Sequence, residues 1–375
     1  MVPAMNHTPV ALLLAALGLP FLGAAQDLRL NQIQIIGSHN SYHAGLAPGE
    51  FAVLRKRNPK GAASLEYHHP PLDQQLSAGV RQLEIDIFAD SKGGLYAHPY
   101  GVREVAKAGL PADPPFDPEG KMNRPGFKVM HTLDVDYRST CQPFTACLGV
   151  IREWSKAHPG HLPIFVIVEN KFDKPRPGSG SGTEAFTAAT FDALDAEIRS
   201  VFSKDELITP DDVRGRHATL EEAVLTDGWP TLDAARGKVI FLMDQKAAGP
   251  LYRQGHPALQ GRVLFTNSTP GSPDAAFIEV NEPLPDTAVI PSLVKKGYLV
   301  RSRTDEPTGQ ARVNDTRQRE AAMASGAQIL STDYAFKEAA SWTGYSVNFP
   351  EGGIARCNPV LKPANCSAQA LAEPK

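Results

Sequence analysis

Four short apolar runs each end in, or carry, residues able to do chemistry. Ser38-His39-Asn40 closes the run Ile33–Gly37, and Glu84-Ile85-Asp86 lies in Val80–Phe88. His131 lies in Phe127–Thr132, and Glu169-Asn170-Lys171 closes Pro163–Glu169. On a strand, Glu84 and Asp86 are two apart and share a face. Two adjacent carboxylates repel unless a cation sits between them. With Asn40 and Glu169 they offer hard oxygen donors, which favour calcium or magnesium over zinc. The alternative is a structural network balanced by Lys171 and Arg301 or Arg303. His39 and His131 come from different runs and could work as a pair. One would deprotonate or polarise an attacking hydroxyl and the other protonate the leaving oxygen. A cation would neutralise charge developing on a phosphoryl group. Phosphodiester cleavage is the chemistry this set suits.

Other polar residues are less specific. His43, His68, His69 and His98 read as surface or satisfied core histidines, with His98 a rival to His131 as second catalyst. Lys171, Arg301 and Arg303 could bind phosphate or a polyol head group. Arg301 and Arg303 share a strand face, and Asp305 could hold one of them. Tyr334 could stack on, or hydrogen-bond to, a sugar-like ring. Salt bridges at a rim are the competing account of these cations.

Eight runs of strand length must position these groups. Besides the four above they are Lys238–Asp244, Ala276–Val280, Tyr298–Arg303 and Ala327–Thr332. Several are apolar without alternation, as in a parallel sheet covered on both faces. Between them, Phe191, Leu194, Ile198 and Val201 share one face of a helix expected over Thr183–Phe202, with Thr183 as N-cap. Leu148, Ile151 and Trp154 mark a second helix. Asn314–Ser325 is a third, with Gly326 ending it. Alternating strands and helices imply a distorted (β/α)8 TIM-type barrel in one α/β domain, whose strand ends converge on one mouth. An open doubly wound sheet is the runner-up, but no Gly-x-Gly-x-x-Gly turn follows the first strand. Residues 89–126, rich in Pro and Gly, are expected to form a rim insertion. Residues 335–375 are expected to be a tail packed on the barrel. Lys174–Gly182 reads as a flexible loop.

The apolar run Val10–Leu22, followed by Gly23-Ala24-Ala25, reads as a signal peptide over residues 1–25, though no Lys or Arg precedes it. Secretion or periplasmic export follows. The four cysteines fit an oxidising compartment, with nearest-neighbour pairs Cys141–Cys147 and Cys357–Cys366. A net charge of −3 offers no global field for nucleic acid, so any lipid contact must be local. A monomer is expected.

The stretches IQIIGSHNSYH, PLDQQLSAGVRQLEIDIFAD, PGFKVMHTLDVDYRSTC and LPIFVIVENK together resemble the secreted bacterial calcium-dependent phosphatidylinositol-specific phospholipases C. GWPTLDAARGKVIFLMD, YLVRSRTDEPT and GAQILSTDY extend the resemblance to about residues 30–340. It implies calcium, with magnesium as the other candidate, held by Asn40, Glu84, Asp86 and Glu169. It implies that His39 stabilises the pentacoordinate phosphoryl group or helps activate the nucleophile, and that His131 acts as acid toward the diacylglycerol oxygen. Phosphate or inositol contacts would come from Lys171 and Arg303. The substrate would be a phospholipid, met by transient membrane-surface contact. The 89–126 insertion departs from the eukaryotic enzymes. The nearest rivals are glycerophosphodiester phosphodiesterases and sphingomyelinase-D-like enzymes. Their first strand ends in His-Arg-Gly, where this chain has His39-Asn40-Ser41. A secreted inositol-lipid or glycan binder would need no general acid.

Overall fold

The computed structural model describes residues 1, 27–172 and 181–374. The leader and residues 174–180 of the glycine-rich loop lie outside the described residues. Among the described residues there are ten strands: β1 (Ile33–Ser38), β2 (Gln82–Phe88), β3 (Lys128–Val129), β4 (Ile164–Asn170), β5 (Val239–Met243), β6 (Leu264–Thr266), β7 (Phe277–Glu279), β8 (Leu299–Arg303), β9 (Ile329–Thr332) and β10 (Ala355–Cys357). Eight of them run in the order β6-β5-β4-β2-β1-β9-β8-β7, and all these neighbours are parallel. A single bridge, Asn267 to Phe277, links the two ends. The result is a nearly closed (β/α)8 barrel with one weak seam.

The staves form where the sequence is continuously apolar. Ile164–Val168 and Val239–Met243 are wholly buried, as strands covered on both faces must be. At the tightest point β1 and β2 pair only through Gly37 and Gln82. A Cβ on Gly37 would collide with the Gln82 side chain, so glycine is required there. Gln82 Nε2 instead reaches Ser38 O at 3.0 Å.

Two expectations need correction. Phe127–Thr132 is not a barrel stave: only Lys128–Val129 is extended, and it pairs antiparallel to the end of β2. The stave that completes the eight is β6, whose three residues give too short an apolar signal before the turn-rich Asn267–Gly271. Helix boundaries also shift. Helix α6 (Ala188–Val201) starts at an N-cap provided by Thr187, not Thr183. Phe186, packed against Phe127, Phe172 and Phe191, is buried just before this start. The third helix begins at Arg317, because Asn314 adopts a left-handed conformation (φ 53°) that ends the preceding turn. Gly326 follows Ser325 in the left-handed conformation.

Three helices intervene between β1 and β2: α1 (Pro48–Arg57), α2 (Pro59–Ser64) and α3 (Leu72–Ala78). Helix α4 (Tyr100–Lys107) lies within residues 89–126, and α5 (Phe144–Ala157) precedes β4. Phe88, Tyr96, Met122, Met130, Leu133 and Tyr137 make a small separate core beneath α4, with Leu95 and Phe116 against it. At the opposite end β10 pairs antiparallel with the start of β1. Cys141–Cys147 and Cys357–Cys366 are bonded, spanning 6 and 9 residues. Such short bridges fasten local turns, and they fit an oxidising compartment. No helix among the described residues is long and apolar enough to cross a membrane.

Candidate active site

Glu84 and Asp86 from β2 and Glu169 from β4 converge at the C-terminal ends of the staves. One ligand atom from each lies within 4.8 Å of the others. Register explains the meeting, since Asp86 is directly opposite Glu169. Burial, then the Glu169 charge, pushes the Asp86 carboxyl well above its ordinary range, against the pull of Lys171. Burial likewise raises Glu84 to about 7, although Arg301 opposes it. Neither Asp86 oxygen has a well-formed hydrogen bond, and its counter-charge is Lys171 Nζ at 3.2 Å. Asn40, two residues past β1, takes a left-handed backbone position (φ 47°), which asparagine tolerates. Its Nδ2 donates to the Tyr67 hydroxyl at 2.8 Å, while Oδ1 has only a long 3.5 Å contact from Tyr42. Hard oxygens, buried and short of donors, fit a divalent cation such as calcium or magnesium.

The two histidines each have a carboxylate partner. His39 Nδ1 lies 2.7 Å from Asp333 Oδ1, and its Nε2 lies 3.5 Å from Glu84 Oε1. Its side chain is 21% exposed, toward the mouth. Desolvation by the surrounding protein, then the Arg303 and Arg301 charges, hold its pKa well below the usual histidine value. His131 Nδ1 lies 2.9 Å from Asp136 Oδ2, and His43 Nε2 approaches the same oxygen at 2.8 Å. Burial alone would raise Asp136, but the His43 charge and the hydrogen bonds from both histidines keep this carboxyl far below its ordinary range. His131 reaches the rim from a loop, through a bridge between Thr132 and Asp136 rather than a stave. His98 is exposed.

The cations are more committed than their sequence positions suggest. Arg301 is buried, with Nη2 2.5 Å from Glu84, Nη1 2.8 Å from Asn281 and 3.6 Å from Glu279. Arg303 is buried between Asp333 (3.5 Å) and Asp305 (3.9 Å). Lys171 bridges Asp86 and Glu169, 3.0 Å from the latter. Tyr334 is buried, its ring edge-on to Tyr345, with no hydrogen-bond partner for its hydroxyl. Asp136, Asp333 and Tyr67 escaped the sequence reading, while His43, read there as a surface or satisfied core histidine, is buried against Asp136. Asp333 carried a usable signal, since it directly follows the last stave. Asp136 carried none, because its two partners meet only in the folded loop.

The family model for calcium-dependent phosphoinositide phospholipase C matches residues 28–359. The chain belongs to this family. As a phosphoinositide phospholipase C, it is a phosphatidylinositol phosphodiesterase with phospholipid as its substrate class. The family's calcium dependence implies a metal ion, and the Glu84–Asp86–Glu169 cluster is an acidic site able to hold one. Solved phospholipases C share the fold. The calcium-dependent phosphoinositol-specific enzyme from Pseudomonas sp is 16% identical, with a TM-score of 0.52 over 89% of this chain and 97% of that one. The calcium-dependent phosphatidylinositol-specific enzyme from Streptomyces antibioticus is 20% identical, with a TM-score of 0.50 over 82% of this chain and 95% of that one. No curated protein matches the chain.

Proposed function

We propose that this phospholipase C cleaves phosphatidylinositol to diacylglycerol and a cyclic inositol phosphate, using two histidines and a calcium ion. Asn40, Glu84, Asp86 and Glu169 would hold the ion, with magnesium the other candidate. When bound, it supplies positive charge against the developing phosphoryl charge. The chain's own residues divide the proton work. With Nδ1 donating to Asp333, His39 presents the Nε2 lone pair, and its lowered pKa keeps it neutral. It accepts the proton of the inositol 2-hydroxyl as that oxygen bonds to phosphorus. His131, oriented through Nδ1 by ionised Asp136, delivers a proton from Nε2 to the diacylglycerol oxygen as the phosphorus–oxygen bond breaks. Water can then open the cyclic phosphate by the reverse roles. Lys171, Arg301, Arg303 and Tyr334 line the proposed head-group site, the arginines mainly by fixing Glu84 and Asp333 in place.

The observation that carries this reading is the separate pairing of His39 with Asp333 and His131 with Asp136, beside the carboxylate trio. We place the protein in the periplasm or outside the cell as a monomer that meets its lipid transiently at a membrane surface. Residues 1–25 would be the removed leader and 26–375 the catalytic barrel, with 89–126 as its rim insertion and 335–375 as its tail. Phosphorus NMR of phosphatidylinositol digests tests the chemistry. A cyclic inositol phosphate should appear with calcium, vanish with chelator and return when calcium is restored. Release of choline or glycerophosphate without any inositol phosphate would overturn the reading.

A further inference from the structure

The chain is acidic overall, yet one face beside the mouth is cationic. Helices α1 and α2 lie in the connection that leaves the C-terminal end of β1, and α4 in the one that leaves β2. Helix α4 is tied to the loop that carries His131 through Tyr100 N, which donates to Asp134 Oδ1 at 2.9 Å, and α1 through Glu50, which accepts from the Tyr137 hydroxyl, so both sit on the catalytic side of the barrel. Asp113 fastens the start of α1 by accepting from Gly49 N and Glu50 N at 2.8 and 3.0 Å. Thr308 Oγ1 and Arg312 Nη2 hold the end of α2 through Ala63 O at 2.8 and 3.0 Å. The face is thus built rather than loose.

Residues 48–64 and 100–110 carry six cations: Arg55, Lys56, Arg57, Lys60, Arg103 and Lys107, all exposed. They carry two carboxylates, and both are buried. Glu50 is bound by Arg138 and Tyr137, and Glu104 by Arg57. Helix dipoles account for a cation or two at each C-terminus, but not for two stretches whose exposed charges are all cations; Glu66, just beyond α2, is exposed but paired with Arg312. Between α1 and α4 runs a groove lined by Ala52, Val53, Ala108 and Leu110, by the cations Lys56, Arg57 and Lys107, and by Glu104, which Arg57 pairs. Val102, 47% exposed, projects from the same helix pair. An apolar wall edged by cations matches the phosphate-and-acyl boundary of a bilayer. Long lysine and arginine stems can lie along such a wall with their charges at the phosphates.

We infer that the α1–α4 face docks the enzyme onto an anionic membrane surface and so holds the mouth against the lipid. This rests on the phospholipase reading above, and supplies the local attraction that a net charge of −3 denies the chain as a whole. The cations act through the surface potential, so binding must fall with salt and with each charge removed.

The test uses the calcium-loaded mature chain with vesicles of phosphatidylcholine alone or mixed with phosphatidylserine, which is not its substrate. Sedimentation should show binding to the mixed vesicles that is lost in high salt. The K56E/K60E/K107E variant should bind them roughly a hundredfold less tightly or worse, while cleaving a water-soluble inositol phosphodiester at the wild-type rate. Single reversals, each expected to cost about tenfold, serve if the triple variant melts abnormally. Wild-type failure to bind the mixed vesicles, or undiminished binding by the variants, would overturn the inference. So would a concentration-dependent dimer abolished by the same substitutions, since a second copy would then own the face. Failure of the wild type to cleave the soluble diester would sink the phospholipase reading and leave docking standing.

Discussion

The two ends of the barrel both bury charge, and they do so in opposite ways. At the end away from the mouth, Arg81 is nearly inaccessible and fully partnered. Glu373 accepts from its Nε and Nη2, Leu76 O and Val80 O accept from Nη1, and the guanidinium lies 4.9 Å from the Trp154 ring. At the mouth, Asp86 lacks well-formed hydrogen bonds and Glu84 is pushed to about 7. Asp244 and Glu279, raised chiefly by burial, add more acid around the same Arg301. A buried charge with all its partners holds a fold together. Buried carboxylates that outnumber their partners store an electrostatic demand that only a cation or a proton meets.

Removing the mouth's proton carriers should produce the largest effect. His39→Ala and His131→Ala should each lower kcat on the order of 10²- to 10⁴-fold, the range for lost acid–base catalysis. Melting temperature should hardly change, because both side chains reach the mouth. Asp136→Asn should lose less, as a group acting through His131. Full activity in His131→Ala combined with a dead His98→Ala would transfer the second catalytic role to the rim insertion.

The contrast between the ends was only half legible in the sequence. His39, Glu84, Asp86 and Glu169 stand at or near the ends of apolar runs, and parallel register turns that one-dimensional rule into convergence. The continuous stretches Ile164–Val168 and Val239–Met243 declared buried staves for the same reason. β6 did not, since three residues are too few to show a period and its seam with β7 depends on side-chain help, as when Asn267 Oδ1 accepts from Glu279 N. His131 was credited to a stave end, but a loop bridge places it. The Arg81–Glu373 contact joins residues 292 apart and leaves no local trace.

The mouth's stored demand should be visible as a dependence of stability on pH. Glu84 has an ordinary value of 4.5 and a folded value of about 7. A raised carboxyl contributes its full stabilisation below about pH 4.5 and loses it as pH rises through 7. The loss amounts to about 3 kcal/mol for this group alone, and Asp86 shifts in the same direction. Chelated protein should therefore melt at a lower temperature near pH 8 than near pH 5. Added calcium should raise the melting temperature much more at the higher pH. Calorimetry in the two buffers, with and without the ion, measures both. Equal stabilisation by calcium at the two values would mean that Lys171 and Arg301 already neutralise the trio, and the two ends would no longer differ in kind.

The smallest effect should come from the end whose charges are satisfied. Glu373→Gln keeps the side chain's shape but removes the charge facing Arg81, a nearly buried guanidinium. Breaking one partner of a fully buried pair costs about 3–5 kcal/mol. Glu373 is 17% exposed, so solvent can reach Arg81 once this segment loosens, and a loss of about 2 kcal/mol is expected. Glu373 also accepts from Leu162 N at 2.6 Å, just ahead of β4, so loosening should begin where the tail meets that stave. Hydrogen exchange should rise first in residues 367–374 and around Leu162. Below the melting transition, kcat and the calcium requirement should stay at wild-type values, since no catalytic group touches this contact. A change in calcium affinity in Glu373→Gln would show that the two ends are coupled through β4, which carries Glu169 at its other end.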